Sequence, residues 1–141
     1  MEVYDEIMSL SDKAKIAYMK AFVKLANADG KFDDNERKFI ENMAKSYLLP
    51  KSCLPEIFSA SDRSVVASVK NIKSRRAALE LVRDLCFLAY SDNDFSDKEE
   101  VLIAKIGKAM GVSAEKLKEI RSWVLKKLIL NEEAKLVFEE V

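Results

Sequence analysis

Ala26-Asn27-Ala28-Asp29-Gly30-Lys31-Phe32-Asp33-Asp34-Asn35-Glu36 is a stretch that the chain contains twice. The second copy is Ala89-Tyr90-Ser91-Asp92-Asn93-Asp94-Phe95-Ser96-Asp97-Lys98-Glu99, at a constant step of 63 residues: 29 to 92, 32 to 95, 36 to 99. The same step carries Ser11 to Ser74, Leu25 to Leu88, Ile40 to Ile103, Lys45 to Lys108, Leu54 to Leu117 and Ile57 to Ile120. A match kept over so long a span marks an internal repeat. It predicts two related halves, 11–57 and 74–120, joined in a pseudo-two-fold molecule with one acidic loop in each.

The residues around each loop read as helices. Ser11 is placed as an N-cap for a helix over about 12–28, with Asp12 in its first turn, where a carboxylate suits the dipole. Ile16, Ala17, Met19, Phe22, Val23, Leu25 and Ala26 leave only a narrow polar stripe of Lys13, Lys20, Lys24 and Asn27, so most of its circumference should be buried. Gly30 ends it as a left-handed residue. A helix over about 34–48 follows, with Phe39, Ile40, Met43 and Tyr47 expected inward, stopping before Pro50. Ser52 is expected to cap a short helix with Leu54, Ile57 and Phe58. Ser61 caps another with Val65, Val66, Val69 and Ile72. The second half then replays the first. Ser74 caps a helix over about 75–91, and a helix over about 97–110 presents Val101, Ile103 and Ile106. Gly111 closes that helix and Ser113 caps the next, over about 114–130, before a short terminal helix opening at Asn131. A further short amphipathic helix is expected over 2–8. The fold class is all-α, one helical domain over 1–141 with about seven or eight helices.

Composition bounds the chemistry. The chain has 141 residues, 49% of them apolar and 34% charged, with three Gly and two Pro. That is a globular balance poor in turn formers. Lysine plus arginine equals aspartate plus glutamate, so no global field draws the protein onto nucleic acid. Basic clusters at Lys70, Lys73, Arg75, Arg76 and at Arg121, Lys126, Lys127 lack interleaved aromatics and read as solvated faces. No apolar run approaches the ~20 residues of a membrane span. The acidic N-terminus lacks a signal peptide's pattern, so a cytosolic location is expected. Cys53 and Cys86 read as free, buried thiols; Trp123 reads as a core residue by default, with an exposed anchor for a partner groove as the alternative. With no histidine, the commonest general base and every histidine-activated nucleophile are missing. No phosphate cradle or oxyanion donors accompany the carboxylates, and no enzymatic activity is expected.

Two readings fit the loops. Asp33-x-x-Glu36 and Ser96-x-x-Glu99 both match the capping box, and Phe32 and Phe95 would then staple each loop to the core. Capping alone leaves Asp29 and Asp92 unexplained. Each sits at a helix C-terminus, where a carboxylate costs about 0.3–1 kcal/mol against the dipole. Asp33, Asp34, Asp94 and Asp97 crowd further charge into the same loops, which favours a cation among them. Asp29, Gly30, Phe32 and Glu36 match the second half of a calcium-binding EF-hand loop, but Leu25 and Leu88 occupy the place of its first ligand. The site would thus be short, weak and completed by carbonyls or water. The candidate ligands are Asp29, Asp33 and Glu36 in one loop and Asp92, Ser96 and Glu99 in the other.

The doubled motif, Ala26-Asn27-Ala28-Asp29-Gly30-Lys31-Phe32-x-x-x-Glu36 with Ala89-Tyr90-Ser91-Asp92-x-x-Phe95-x-x-x-Glu99, resembles the tellurite-resistance TerB-like family. That family includes the N-terminal region of certain DnaJ-like membrane chaperones. The resemblance extends over nearly the whole chain; Asn93 stands where a glycine is usual. It implies a pseudo-symmetric helical fold and acidic loops binding divalent metal, calcium first. It also implies a non-enzymatic part in stress-response or membrane-associated complexes, with protein partners. The other reading is a metal-independent helical adaptor with well-capped acidic loops.

Overall fold

A computed structural model describes residues 6–26, 33–91 and 95–139. Within them lie seven α-helices and no strand: α1 (Asp12–Ala26), α2 (Asp34–Ser46), α3 (Leu54–Phe58), α4 (Asp62–Ser68), α5 (Arg75–Ser91), α6 (Asp97–Ala109) and α7 (Ala114–Phe138). Short 3-10 turns lie at Glu6–Ser9, Lys51–Cys53 and Val69–Asn71. The all-α expectation holds.

Helix α1 is the centre, because two cores meet on it. Ala14, Ala17, Tyr18, Ala21 and Leu25 join a large cluster that includes Val65, Leu81, Leu85, Ile103, Ile106 and Val124. Met19 and Val23 face the other way, into a smaller cluster with Ile40, Ala44, Leu49 and Ile57. A helix sandwiched like this must be apolar almost all round, as its sequence is. Fully burying a side chain such as Ile57 contributes about 1.5–3 kcal/mol. Two of the four α1 lysines are drawn into that interior by the same geometry. Lys15 and Lys20 are buried, Lys15 donating to the Tyr47 carbonyl at 3.1 Å.

The caps follow the sequence at most ends. Ser11 and Ser74 accept from the amides of Ala14 and Ala77 at 3.2 and 3.1 Å. Ser61 and Ser64 form a reciprocal capping box on α4, and Ser113 accepts from Lys116 N–H at 3.1 Å on α7. Helices α2 and α6 begin and end at matching places, residues 34 and 97, 46 and 109. Both close with the same two backbone bonds. Leu48 and Leu49 N–H donate to the Lys45 and Ala44 carbonyls, both at 3.0 Å; Gly111 and Val112 N–H donate to those of Lys108 and Gly107, at 3.0 and 2.8 Å. This is the Schellman closure, which needs a left-handed residue. Gly111 takes it at φ 80, and Leu48 takes it at φ 61.

Six expectations are corrected. Phe39 is 61% exposed, because α2 turns Ile40 and Ala44 inward and Phe39 lies one position off that face. Val101 is exposed for the same reason, Leu102 being the buried neighbour. Ser52 caps nothing: it lies inside the Lys51–Cys53 turn, and Cys53 precedes α3. Trp123 is 51% exposed, its ring edge-on to Phe87 at 6.2 Å and under Lys127 Nζ at 5.7 Å. The break expected at Asn131 does not occur, and α7 runs unbroken for 25 residues. Asn in a helix interior costs under about 1 kcal/mol, and no Gly or Pro lies near to stop the helix. At the other end, a 3-10 turn over Glu6–Ser9 replaces part of the helix expected over 2–8.

Candidate functional site

Each acidic loop opens a helix, and the cap geometry is clear on the C-terminal side of both. Asp33, in extended backbone at φ −84 and ψ 171, accepts from Glu36 N–H at 2.8 Å. Ser96, at φ −68 and ψ 158, accepts from Glu99 N–H at 3.2 Å. Glu99 reaches back, its Oε1 accepting from Ser96 N–H at 3.1 Å and from Ser96 Oγ–H at 2.9 Å. That is a complete capping box, and Glu99 is only 8% exposed within it. Asp33, Asp34 and Glu36, by contrast, all stand exposed. Asp29 and Asp92, together with Gly30, Phe32, Asn93 and Asp94, lie outside the described residues. Among the described residues no three acidic or cysteine side chains are grouped to hold a metal ion.

The residues flanking the second loop are tied to α7 by a side chain the sequence did not single out for this. Arg121 donates from Nε to Tyr90 Oη at 3.0 Å, pairs with Glu100 at 3.0 Å and lies over the Phe95 ring at 4.1 Å. Tyr90 and Phe95 pack at 4.9 Å between ring centres, so Phe95 reaches the core edge as a staple would. The equivalent places in the first half, Arg37 and Phe58, also meet, with the guanidinium 4.4 Å from the ring centre. The repeat step was the signal that could have found this pairing: Arg37 maps onto Glu100 and Phe58 onto Arg121.

Two clefts adjoin the loops. One of about 490 Å³ is lined by Lys24, Asp62, Asp97, Lys98, Glu99 and Lys105, with Lys24 Nζ 3.5 Å from Asp62. Its lysines place fixed cations beside the carboxylates of the second loop. The other, about 270 Å³, puts Asp33 and Glu36 at the edge of an apolar trough of Phe22, Phe39, Ile40 and Leu88. The exposure of Phe39 is therefore part of the first loop's surroundings.

The family model described as tellurite resistance protein TerB matches residues 54–122. Over that span the chain is TerB-like. The TerB match takes in α3 to α6, the start of α7 and the second acidic loop, and it is narrower than the likeness read from the doubled motif. The first loop precedes it. No curated protein and no solved structure matches the chain. Among the described residues no helix is long and apolar enough to cross a membrane.

Proposed function

We propose that this TerB-like chain is a non-enzymatic helical module that binds a divalent cation, calcium first, through its first acidic loop. Its setting, on the TerB likeness, is a stress-response or membrane-associated protein complex. The observation that carries the reading is the exposure of Asp33, Asp34 and Glu36 together at the start of α2. These are hard oxygen donors, the chemistry that calcium and magnesium select. The loop also follows the C-terminal end of α1, whose dipole favours positive charge, and its sequence carries a further carboxylate in Asp29.

A specific observation favours the metal-independent reading for the second loop. Glu99 Oε1 already accepts two hydrogen bonds in its capping box, and Lys24, Lys98 and Lys105 line the neighbouring cleft. There the carboxylates serve as caps balanced by lysines, and the TerB-like half acts as scaffold. An amide NMR titration separates the two loops. Millimolar Ca²⁺ should move the amides of 29–36 and leave those of 92–99 nearly still. A chain whose first loop ignores Ca²⁺, Mg²⁺ and Mn²⁺ alike would be a metal-independent helical adaptor.

A further inference from the structure

Helix α7 changes character halfway along. Val124 is fully buried, and the side of the helix turned away from it is solvent-facing. At about 100° per residue, Glu115, Glu119, Ser122, Lys126, Ile129, Leu130, Glu133 and Val137 fall on that outer side. Up to Ser122 it is polar, as a solvated face should be. Beyond, it turns apolar: Ile129, Leu130, Leu136 and Val137 are 50%, 64%, 85% and 69% exposed. The outer side of this distal half carries two charges, Lys126 and Glu133, two helical turns apart. Among the described residues neither has an ion-pair partner, whereas the off-face Glu132 pairs with Lys135 at 3.2 Å.

We propose that this distal outer face of α7 is covered by the same face of a second copy of the chain, in an antiparallel helix pair. The charge pattern selects both the occupant and the direction. Laid antiparallel about the midpoint between Ile129 and Leu130, two copies bring each Lys126 onto Glu133 of the other copy. The same placement brings Ile129 and Leu130 of both copies together at the two-fold axis. The face is self-complementary, as a two-fold interface requires. A parallel pair would set lysine beside lysine and glutamate beside glutamate. Among the described residues nothing covers this face, since α7 packs on α5 and α6 and residues 129–139 are exposed throughout.

Sedimentation velocity on the full chain, from about 1 to about 200 µM, tests the pairing. Wild type should show a reversible dimer. Lys126→Glu and Glu133→Lys should each raise its dissociation constant roughly tenfold or more, because both symmetric ion pairs become repulsive. An equimolar mixture of the two variants, and the double variant K126E/E133K, should recover the dimer. Leu130→Asp should abolish it with an unchanged helical circular dichroism spectrum. A wild type that stays monomeric throughout overturns the proposal. So does a monomer that instead sediments with vesicles of phosphatidylcholine and phosphatidylserine, which would give the face to a membrane surface. Single charge variants that dimerise as well as wild type, or a double variant no better than the singles, would overturn the antiparallel register.

Discussion

Lys20 shows how much one side chain depends on its surroundings. It is 7% exposed, with Nζ 2.8 Å from Glu56 Oε1 and 3.2 Å from Ser68 Oγ, so it ties α1 to α3 and α4. Glu56 itself is largely exposed. Removing its charge strands a buried ammonium, whereas removing the ammonium leaves a carboxylate that water can solvate. Glu56→Gln should therefore cost about 1–3 kcal/mol and Lys20→Met less, the reverse of an argument from side-chain burial. Urea unfolding of the two variants checks the order, and a costlier Lys20→Met would refute it. A second residue-scale expectation concerns pH. Burial pushes the Cys86 thiol up to about 11, and burial with the neighbouring Asp84 carboxylate raises the Tyr18 phenol too. Both groups hold their proton more tightly folded than unfolded, so their stabilisation is complete below the unfolded cysteine value of 9.0 and is lost as pH rises. The melting temperature should fall as pH rises from about 9 to about 11, and Cys86→Ala should lessen the fall. An equal decline in that variant would rule out the thiol as a contributor.

At the scale of elements, the two Schellman closures offer a matched pair. Leu48 holds φ 61 while 76% exposed, so it carries the strain of a left-handed conformation with little burial in return. That conformation costs a side-chain-bearing residue about 1–2 kcal/mol, against about 0.5–1 kcal/mol for the extra backbone entropy of glycine. Leu48→Gly should stabilise the protein by about 0.5 kcal/mol. Gly111→Ala should destabilise it by about 1 kcal/mol, although no atom stands within 4 Å of the added Cβ, because the strain lies in the backbone. Thermal melts of the pair would show opposite shifts. Shifts of one sign would mean that packing, not backbone conformation, governs these corners.

For the whole molecule, the two acidic loops are sequence relatives in different surroundings, and the calcium reading predicts an asymmetry. On the sequence reading, Asp29 is a charge set against the α1 dipole, so in chelator Asp29→Asn should raise stability by a few tenths of a kcal/mol. In millimolar Ca²⁺ the same variant should lose that advantage, because ion binding to the native state no longer stabilises it as fully as wild type. Asp92→Asn should show the first effect without the second. Calorimetry with and without calcium measures both, and a calcium-independent difference for Asp29→Asn would remove it from the ligand set.

The sequence alone determined the helices, because caps and periodicity are local. Ser11, Ser61, Ser74, Ser96 and Ser113 each act through an amide three residues on, and Gly111 through its own backbone freedom. The doubled motif also marked where α2 and α6 begin, and it carried the TerB-like resemblance. Neighbouring positions on one helix were less legible, since Phe39 and Val101 differ from Ile40 and Leu102 only in which way the helix is rotated against its partners. That rotation is set by packing between elements distant in sequence. The tertiary structure likewise decided that Lys20 is buried, that Trp123 is not, and that Arg121 reaches from α7 to the second loop. Each is a contact across the fold, where geometry rather than residue type selects the partner.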